Sequence, residues 1–160
     1  MSSSGRKRRA RISLTPCFII ALLIFIFDQF SKIWIRGNFR IGQSVEIVDK
    51  HLHITHVENP GAAFSVLRGR ESLLIGVSLA IVIILLYILI REKALNSASR
   101  IGISMAIGGG AGNLADRAIY GRVTDMIDVS FFPPVFNLAD IAVTIGCLVL
   151  VFGLIAGRRR

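Results

Sequence analysis

The stretch SLLIGVSLAIVIILLYILI, residues 72–90, decides the fold, because its 19 residues include no charged side chain. About 20 apolar residues in a helix cross the hydrocarbon core of a bilayer. Three other apolar stretches of similar length occur at residues 15–35, 101–119 and 137–156. The chain is 53% hydrophobic with a mean hydropathy of +0.66, too apolar for an ordinary soluble domain. We therefore expect a single integral membrane domain over residues 1–160, an all-α membrane protein with a four-transmembrane-helix bundle.

Basic residues lie at the ends of these apolar stretches, and their distribution predicts the orientation. Five Lys or Arg precede the first stretch, three lie within residues 91–100, and three lie at residues 158–160. The positive-inside rule then places both termini in the cytoplasm and residues 36–71 and 120–136 outside. The formal net charge is +9, but the charges do not form one basic face, so no nucleic-acid binding is expected.

The first external segment shows a period-two pattern. Val45, Ile47, Leu52, Ile54 and Val57 alternate roughly with polar residues, which is typical of a half-buried pair of strands. A small extracytoplasmic β-element is therefore expected. The turn signal Asn-Pro-Gly at residues 59–61 ends the pattern and predicts a short surface helix after it. The second external segment is short and contains two prolines, and no strand is predicted there.

Four carboxylates lie in or beside the apolar stretches: Asp28, Asp116, Asp125 and Asp140. With a helical rise of about 1.5 Å per residue, Asp28 lies roughly 20 Å and Asp116 roughly 22 Å from the cytoplasmic starts of their spans. By the same rise, Asp140 lies about 5 Å below the outer start of the last span. All four are thus expected in the outer third of the membrane. Ionisable groups at this depth are costly and usually functional.

The acids divide into two kinds. For Asp28 the simpler interpretation is an ion pair with Lys32 at i+4, and for Asp116 a partner such as Lys32 or the neighbouring arginine. Asp125 and Asp140 flank one short connection, which brings the ends of the third and fourth spans together. Two close carboxylates share a proton, so one can act as an acid and the other as a base. This division of labour hydrolyses amides in aspartic proteases.

Neither a metal nor a cofactor is expected. The three histidines, His51, His53 and His56, lie together in the β-region, where a solvated strand face is a simpler interpretation than a metal site.

Two other classes of function stay open on these residues alone. A small proton-coupled transporter would need ionisable groups at successive depths, including the inner half of the spans, and no carboxylate lies there. A purely structural assembly partner would tolerate the exchange Asp125→Asn.

Four separated motifs point to a known family. They are DQFSK (28–32), ENPGAAFS (58–65), GGGAGNLADRAIYGRVTD (108–125) and FNLADIAV (136–143). In this order, on these spans, they resemble the lipoprotein signal peptidases, also called signal peptidase II. The resemblance covers nearly the whole chain, with one departure: Met126 follows Asp125 where an aromatic residue is expected.

The resemblance implies an aspartic endopeptidase of the bacterial inner membrane with its active site near the periplasmic face. Its partners would be membrane lipids and prolipoproteins that carry a diacylglyceryl group, cleaved just before the lipid-modified cysteine, and we expect a monomer. The catalytic pair would be Asp125 and Asp140. The residues implied to line or support the site are Asn59, Asn113, Arg117, Asn137, Asp28, Lys32 and Asp116. We further expect Phe64 to give an apolar contact where the external segments clamp the substrate.

Overall fold

The structure is a computed structural model that describes residues 13–61 and 71–158. The described part contains four helices and four strands. The helices are α1 Leu14–Asn38, α2 Glu71–Arg91, α3 Ser97–Tyr120 and α4 Leu138–Arg158. The strands are β1 Ser44–Val48, β2 Leu52–Asn59, β3 Val123–Val129 and β4 Phe132–Phe136. The expected short surface helix and Phe64 lie outside the described residues.

All four apolar stretches are helical, and the helix ends fall within four residues of the predicted ones. Three helices are long and apolar enough to cross a membrane: Leu14–Asn38, Ser72–Arg91 and Leu138–Gly157. The chain is therefore a multi-pass membrane protein. Helix α3 is as long, at 24 residues, but it is less apolar because it carries several charged and amide side chains. That α3 also spans the membrane stays a prediction.

Helix α3 lies at the centre of the bundle and contacts the other three helices. Its glycines permit this close packing. A Cβ atom added at Gly102 would lie 2.5 Å from the carbonyl oxygen of Gly146 in α4, and one added at Gly108 would lie 2.5 Å from that of Ala21 in α1. Small residues allow helix backbones to approach closely where lipid supplies no hydrophobic driving force. The surfaces that α1 and α4 turn outward are apolar and suited to lipid, with Phe30 and Phe152 each 69% exposed.

The caps of α3 set its boundaries. Asn96 accepts a hydrogen bond from the Ser99 N–H at 2.8 Å and so caps the first turn. At the other end Gly121 adopts a left-handed conformation with φ of 73°, which a glycine permits at no steric cost, and its N–H bonds the Arg117 carbonyl. This turn directs the chain out of α3 and straight into β3, the strand that carries Asp125.

The four strands form one antiparallel sheet in the order β1-β2-β3-β4. The predicted strand pair is present as β1 and β2, with Val45 opposite Ile54. The prediction was incomplete, however, because the second external segment also folds as a hairpin. Strand β3 pairs with β2, with Val57 opposite Asp125, and β4 pairs with β3.

The prolines do not prevent this hairpin, because β4 is an edge strand, where a missing N–H donor is tolerated. Asp128 lies in β3 and accepts a hydrogen bond from the Thr55 hydroxyl at 2.9 Å. His56, expected on a solvated strand face, is 3% exposed, and its Nδ1 lies 2.9 Å from the Phe39 carbonyl oxygen.

Candidate active site

Asp125 is the buried member of the two acids. It lies in the middle of β3, and its side chain is 1% exposed. Each carboxylate oxygen accepts one hydrogen bond from an asparagine amide: Oδ1 from Asn137 at 2.6 Å and Oδ2 from Asn59 at 3.0 Å. Asn59 is the last residue of β2 and Asn137 directly precedes α4, so three elements meet on this one carboxylate.

Asp140 is half-buried and lies in the first turn of α4. It forms a reciprocal cap with Asn137: the Asn137 side-chain oxygen accepts the Asp140 N–H at 2.9 Å, and the Asn137 N–H donates to Asp140 Oδ2 at 3.3 Å. This is the arrangement of a capping box, with Asn and Asp in place of the usual residues. The other oxygen, Oδ1, accepts from the Asn113 amide at 2.8 Å. The cap therefore fixes the Asp140 side chain relative to the helix end.

Asn137 connects the two acids directly. Its amide nitrogen donates to Asp125 and also to Asn113 Oδ1, at 3.1 Å, while its oxygen holds the backbone of Asp140. It is fully buried. The hairpin and this one side chain thus bring Asp125 and Asp140 into the same small site.

The site raises the pKa of Asp125 from 3.8 to about 6. The largest cause is burial, which disfavours the charged form. The hydrogen bonds from Asn59 and Asn137 oppose the increase, and the charge of Asp140 adds to it.

A second, charged layer lies beneath the two acids. Lys32 is fully buried and forms ion pairs with Asp28 at 2.8 Å and Asp116 at 3.4 Å. Its ammonium also donates to Asn113 Oδ1 at 2.9 Å. The expected pairing of Asp28 with Lys32 is present, and of the partners considered for Asp116 the structure shows Lys32. Lys32 links the charged layer to Asn113, which in turn contacts Asp140.

Arg117 lies in the last turn of α3 and is partly exposed. Its guanidinium donates to the Asn113 carbonyl at 3.4 Å and lies within electrostatic range of Asp140, Asp125 and Asp116. It is thus the cation placed beside the two acids rather than beneath them, where it can hold a carbonyl or carboxylate.

A cavity of about 450 Å³ opens beside α4 and ends at Asp140. Apart from Asp140 and the Thr144 hydroxyl, its lining side chains are apolar. The lining residues are Val129, Phe131, Phe132, Phe136, Asp140, Ile141, Thr144 and Ile145. This cavity is an apolar space between the sheet and the last helix, and the half-buried Asp140 is part of its lining.

Sequence reasoning missed three polar residues of this region, Gln29, Arg36 and Thr124. The Gln29 amide bridges Asp28 Oδ2 at 3.2 Å and Asp116 Oδ1 at 3.4 Å. Arg36 pairs with Asp116 at 3.4 Å and donates to the Thr124 hydroxyl at 2.8 Å. A signal existed for Arg36, because residues at i, i+4 and i+8 share one helix face and it continues the row begun by Asp28 and Lys32.

Comparison with known proteins agrees with this geometry. The family model described as signal peptidase (SPase) II matches residues 20–156. The chain belongs to the signal peptidase II family. This makes it a peptidase, and both acids of the site and all of the polar residues around them lie inside the matched region.

Signal peptidase II relatives are similar over most of their length. The lipoprotein signal peptidase of Moorella thermoacetica is 36% identical over 88% of this chain and 93% of its own. That of Staphylococcus aureus strain MRSA252 is 35% identical over 86% of each chain.

Two solved structures, both described as bacterial membrane enzymes, are also similar. One has a TM-score of 0.84 at 32% identity and covers 93% of each chain. The other has a TM-score of 0.82 at 31% identity over 92% of this chain and 97% of its own. The fold of this signal peptidase II is therefore shared with them almost from end to end.

Proposed function

We propose that this protein is an aspartic endopeptidase that removes the signal peptide from diacylglyceryl-modified prolipoproteins, cutting just before the lipid-modified cysteine. Family membership supports the peptidase activity, and the names of the relatives support the class of substrate. The observation that carries the mechanism is the bridge through Asn137, which holds Asp125 and Asp140 in one site.

The two acids differ in a way that assigns their roles. Burial raises the pKa of Asp125 to about 6, so it carries the shared proton more readily. Asp140 faces the cavity, where water and substrate can reach it. Asp140 then takes a proton from a water molecule, whose oxygen attacks the scissile carbonyl carbon, while Asp125 donates its proton to the carbonyl oxygen. The tetrahedral intermediate collapses as Asp140 donates its proton to the nitrogen, the C–N bond breaks, and a hydroxyl of the intermediate returns a proton to Asp125, which restores the starting state of the pair.

The cavity suits the lipid part of the substrate. A helix is about 10 Å wide with a pitch of about 5.4 Å, so about 450 Å³ corresponds to only one turn of a signal-peptide helix. An acyl chain has no polar groups to satisfy and fits a narrow apolar channel. The scissile amide would lie at the Asp140 end of the cavity, and the signal helix would stay in the bilayer.

The location and orientation in the membrane are part of the same proposal. We place the enzyme in the inner membrane as a monomer with both termini in the cytoplasm, with α3 spanning the membrane together with α1, α2 and α4, and with the acids near the periplasmic face. The sheet and the segment after Asn59 would clamp the substrate at that face, with Phe64 as an apolar contact. Unchanged turnover and affinity in Asn59→Ala and Phe64→Ala would remove the support for a clamp.

The decisive experiment is cleavage of a diacylglyceryl-modified prolipoprotein by the purified, detergent-solubilised protein in the presence of a chelator. Wild type should cleave, while Asp125→Asn and Asp140→Asn should lose at least about a hundredfold in turnover. Asp128→Asn, the same exchange on the same strand, is the matched control and should keep near-normal turnover. Near-normal activity in a folded Asp125→Asn or Asp140→Asn variant would refute the two-aspartate mechanism.

A further inference from the structure

The backbone just before each of the two acids is held by another carboxylate. Asp28 Oδ1 accepts the N–H of Ala139 at 2.9 Å, and Ala139 directly precedes Asp140. Asp116 Oδ2 accepts the N–H of Thr124 at 3.0 Å, and Thr124 directly precedes Asp125. The same relation thus occurs twice, on two different helices and toward two different elements.

We propose that Asp28 and Asp116 are a pair of positioning residues, each of which fixes the main chain immediately before one member of the catalytic pair. The inference rests on the proposed function, since it assumes that Asp125 and Asp140 perform the chemistry. Asp28 sets the start of α4, and Asp116 sets the start of β3. Together they determine how the two acids lie relative to each other.

Their own positions are tightly constrained. Both carboxylates are fully buried, and both bind Lys32 and Gln29, which therefore join them into one unit. Hydrogen bonds from backbone N–H groups to a charged oxygen are shorter and stronger than neutral ones. The Ala139 N–H is also one of the first donors of α4 and has no partner within its own helix. Asp28 supplies that partner from α1.

Such positioning matters because catalysis depends on small distances. A misplacement of about 1 Å at reacting groups can cost about a hundredfold in rate. Asp125 and Asp140 lie on different elements, so nothing within β3 or α4 alone fixes their separation. Helices α1 and α3 provide a common frame, because Lys32 of α1 pairs with acids of both helices.

Gly112 offers a test that removes no charge and no hydrogen-bonding group. A Cβ atom at this position would overlap Asp28 Oδ2 and lie 3.0 Å from its Cγ, so Gly112→Ala must displace the Asp28 carboxylate. Gly110→Ala is the matched control on the same helix. Its Cβ would meet only Val82 Cγ2, at 3.2 Å, on the side facing α2. Both changes replace glycine by alanine within α3.

The experiment measures kcat and KM for prolipoprotein cleavage, with thermal unfolding of each variant. In Gly112→Ala we expect kcat per folded molecule to fall at least about tenfold while KM stays within about threefold. Gly110→Ala should stay within about twofold of wild type in both constants. A purely structural role would lower the folded fraction but not the turnover of the molecules that remain folded.

Two results would overturn the inference. One is a folded Gly112→Ala protein with wild-type kcat, and the other is an equal loss in Gly110→Ala, which would assign the effect to α3 packing. If Gly112→Ala does not fold, Asp28→Asn and Asp116→Asn carry the same expectation, because they add no heavy atom and remove the charge that accepts the Ala139 and Thr124 N–H groups. Wild-type protein and Asp125→Asn are run alongside. An inactive wild type or an active Asp125→Asn refutes the proposed function instead.

Discussion

Replacing Asn137 by alanine should abolish most activity while leaving the protein folded. The change removes the hydrogen bond to Asp125, the bond to Asn113 and the cap of Asp140. Loss of an N-cap side chain costs about 1 kcal/mol. Loss of a hydrogen bond to a charged group costs about 1.5–3 kcal/mol. For the cap and the bond to Asp125 together, the free energy of unfolding should fall by about 2.5–4 kcal/mol, less than the 5–15 kcal/mol that folded domains typically have.

The activity loss should be larger than this stability loss suggests. Both acids lose their common bridge, so we expect kcat to fall at least about a hundredfold. The assay compares turnover per folded molecule of wild type and Asn137→Ala on a prolipoprotein substrate. Asn38→Ala is the control, because Asn38 caps an exposed helix end by donating to the Trp34 carbonyl at 2.8 Å. A folded Asn137→Ala protein with turnover within threefold of wild type would refute the bridge as the element that holds the pair.

Three more predictions follow from the structure. Because burial raises the pKa of Asp125 to about 6, its protonated form favours the folded state. That contribution to stability is complete below about pH 4 and is lost as pH rises through 6. The Tm of Asp125→Asn should therefore rise relative to that of wild type between pH 4.5 and 7.5. A difference in Tm between the two proteins that stays constant over this range would contradict the prediction. Ile145→Trp fills the cavity and should lower cleavage of substrates with long acyl chains more than cleavage of substrates with short acyl chains. Leu148 is 65% exposed on the same helix, so Leu148→Trp should not show this difference. Equal losses for all chain lengths would assign the cavity to the peptide. Gly102→Ala should lower Tm because its Cβ meets the backbone of α4. Gly76→Ala should not lower Tm, because the space around Gly76 is open. Similar Tm values for the two variants would contradict the packing argument.

The helices could be predicted because apolar runs of membrane length leave few alternatives, and because Asp28 and Lys32 have the i, i+4 spacing of one helix face. The hairpin of β3 and β4 could not. In β3 the polar residues Thr124, Asp125 and Asp128 interrupt the alternation that predicts a strand; Thr124 and Asp125 make contacts within the site, and Asp128 bonds the Thr55 hydroxyl of β2. In the structure, Arg36 is partly buried beside Asp116, with its guanidinium 4.3 Å from the centre of the Tyr120 ring.

The two pairs of acids differ in the partners that hold them. Asp28 and Asp116 are held by Lys32, and Asp116 also by Arg36, so protonating either would take a partner from a buried cation. Within residues 13–61 and 71–158, Asp125 and Asp140 form no ion pair, and the hydrogen bonds to their carboxylates come from amide and backbone N–H donors. Neutral donors restrain a carboxylate without fixing its charge. In the mechanism that we propose, the ion-paired acids supply rigidity, and the amide-bonded acids exchange the proton that peptide hydrolysis requires.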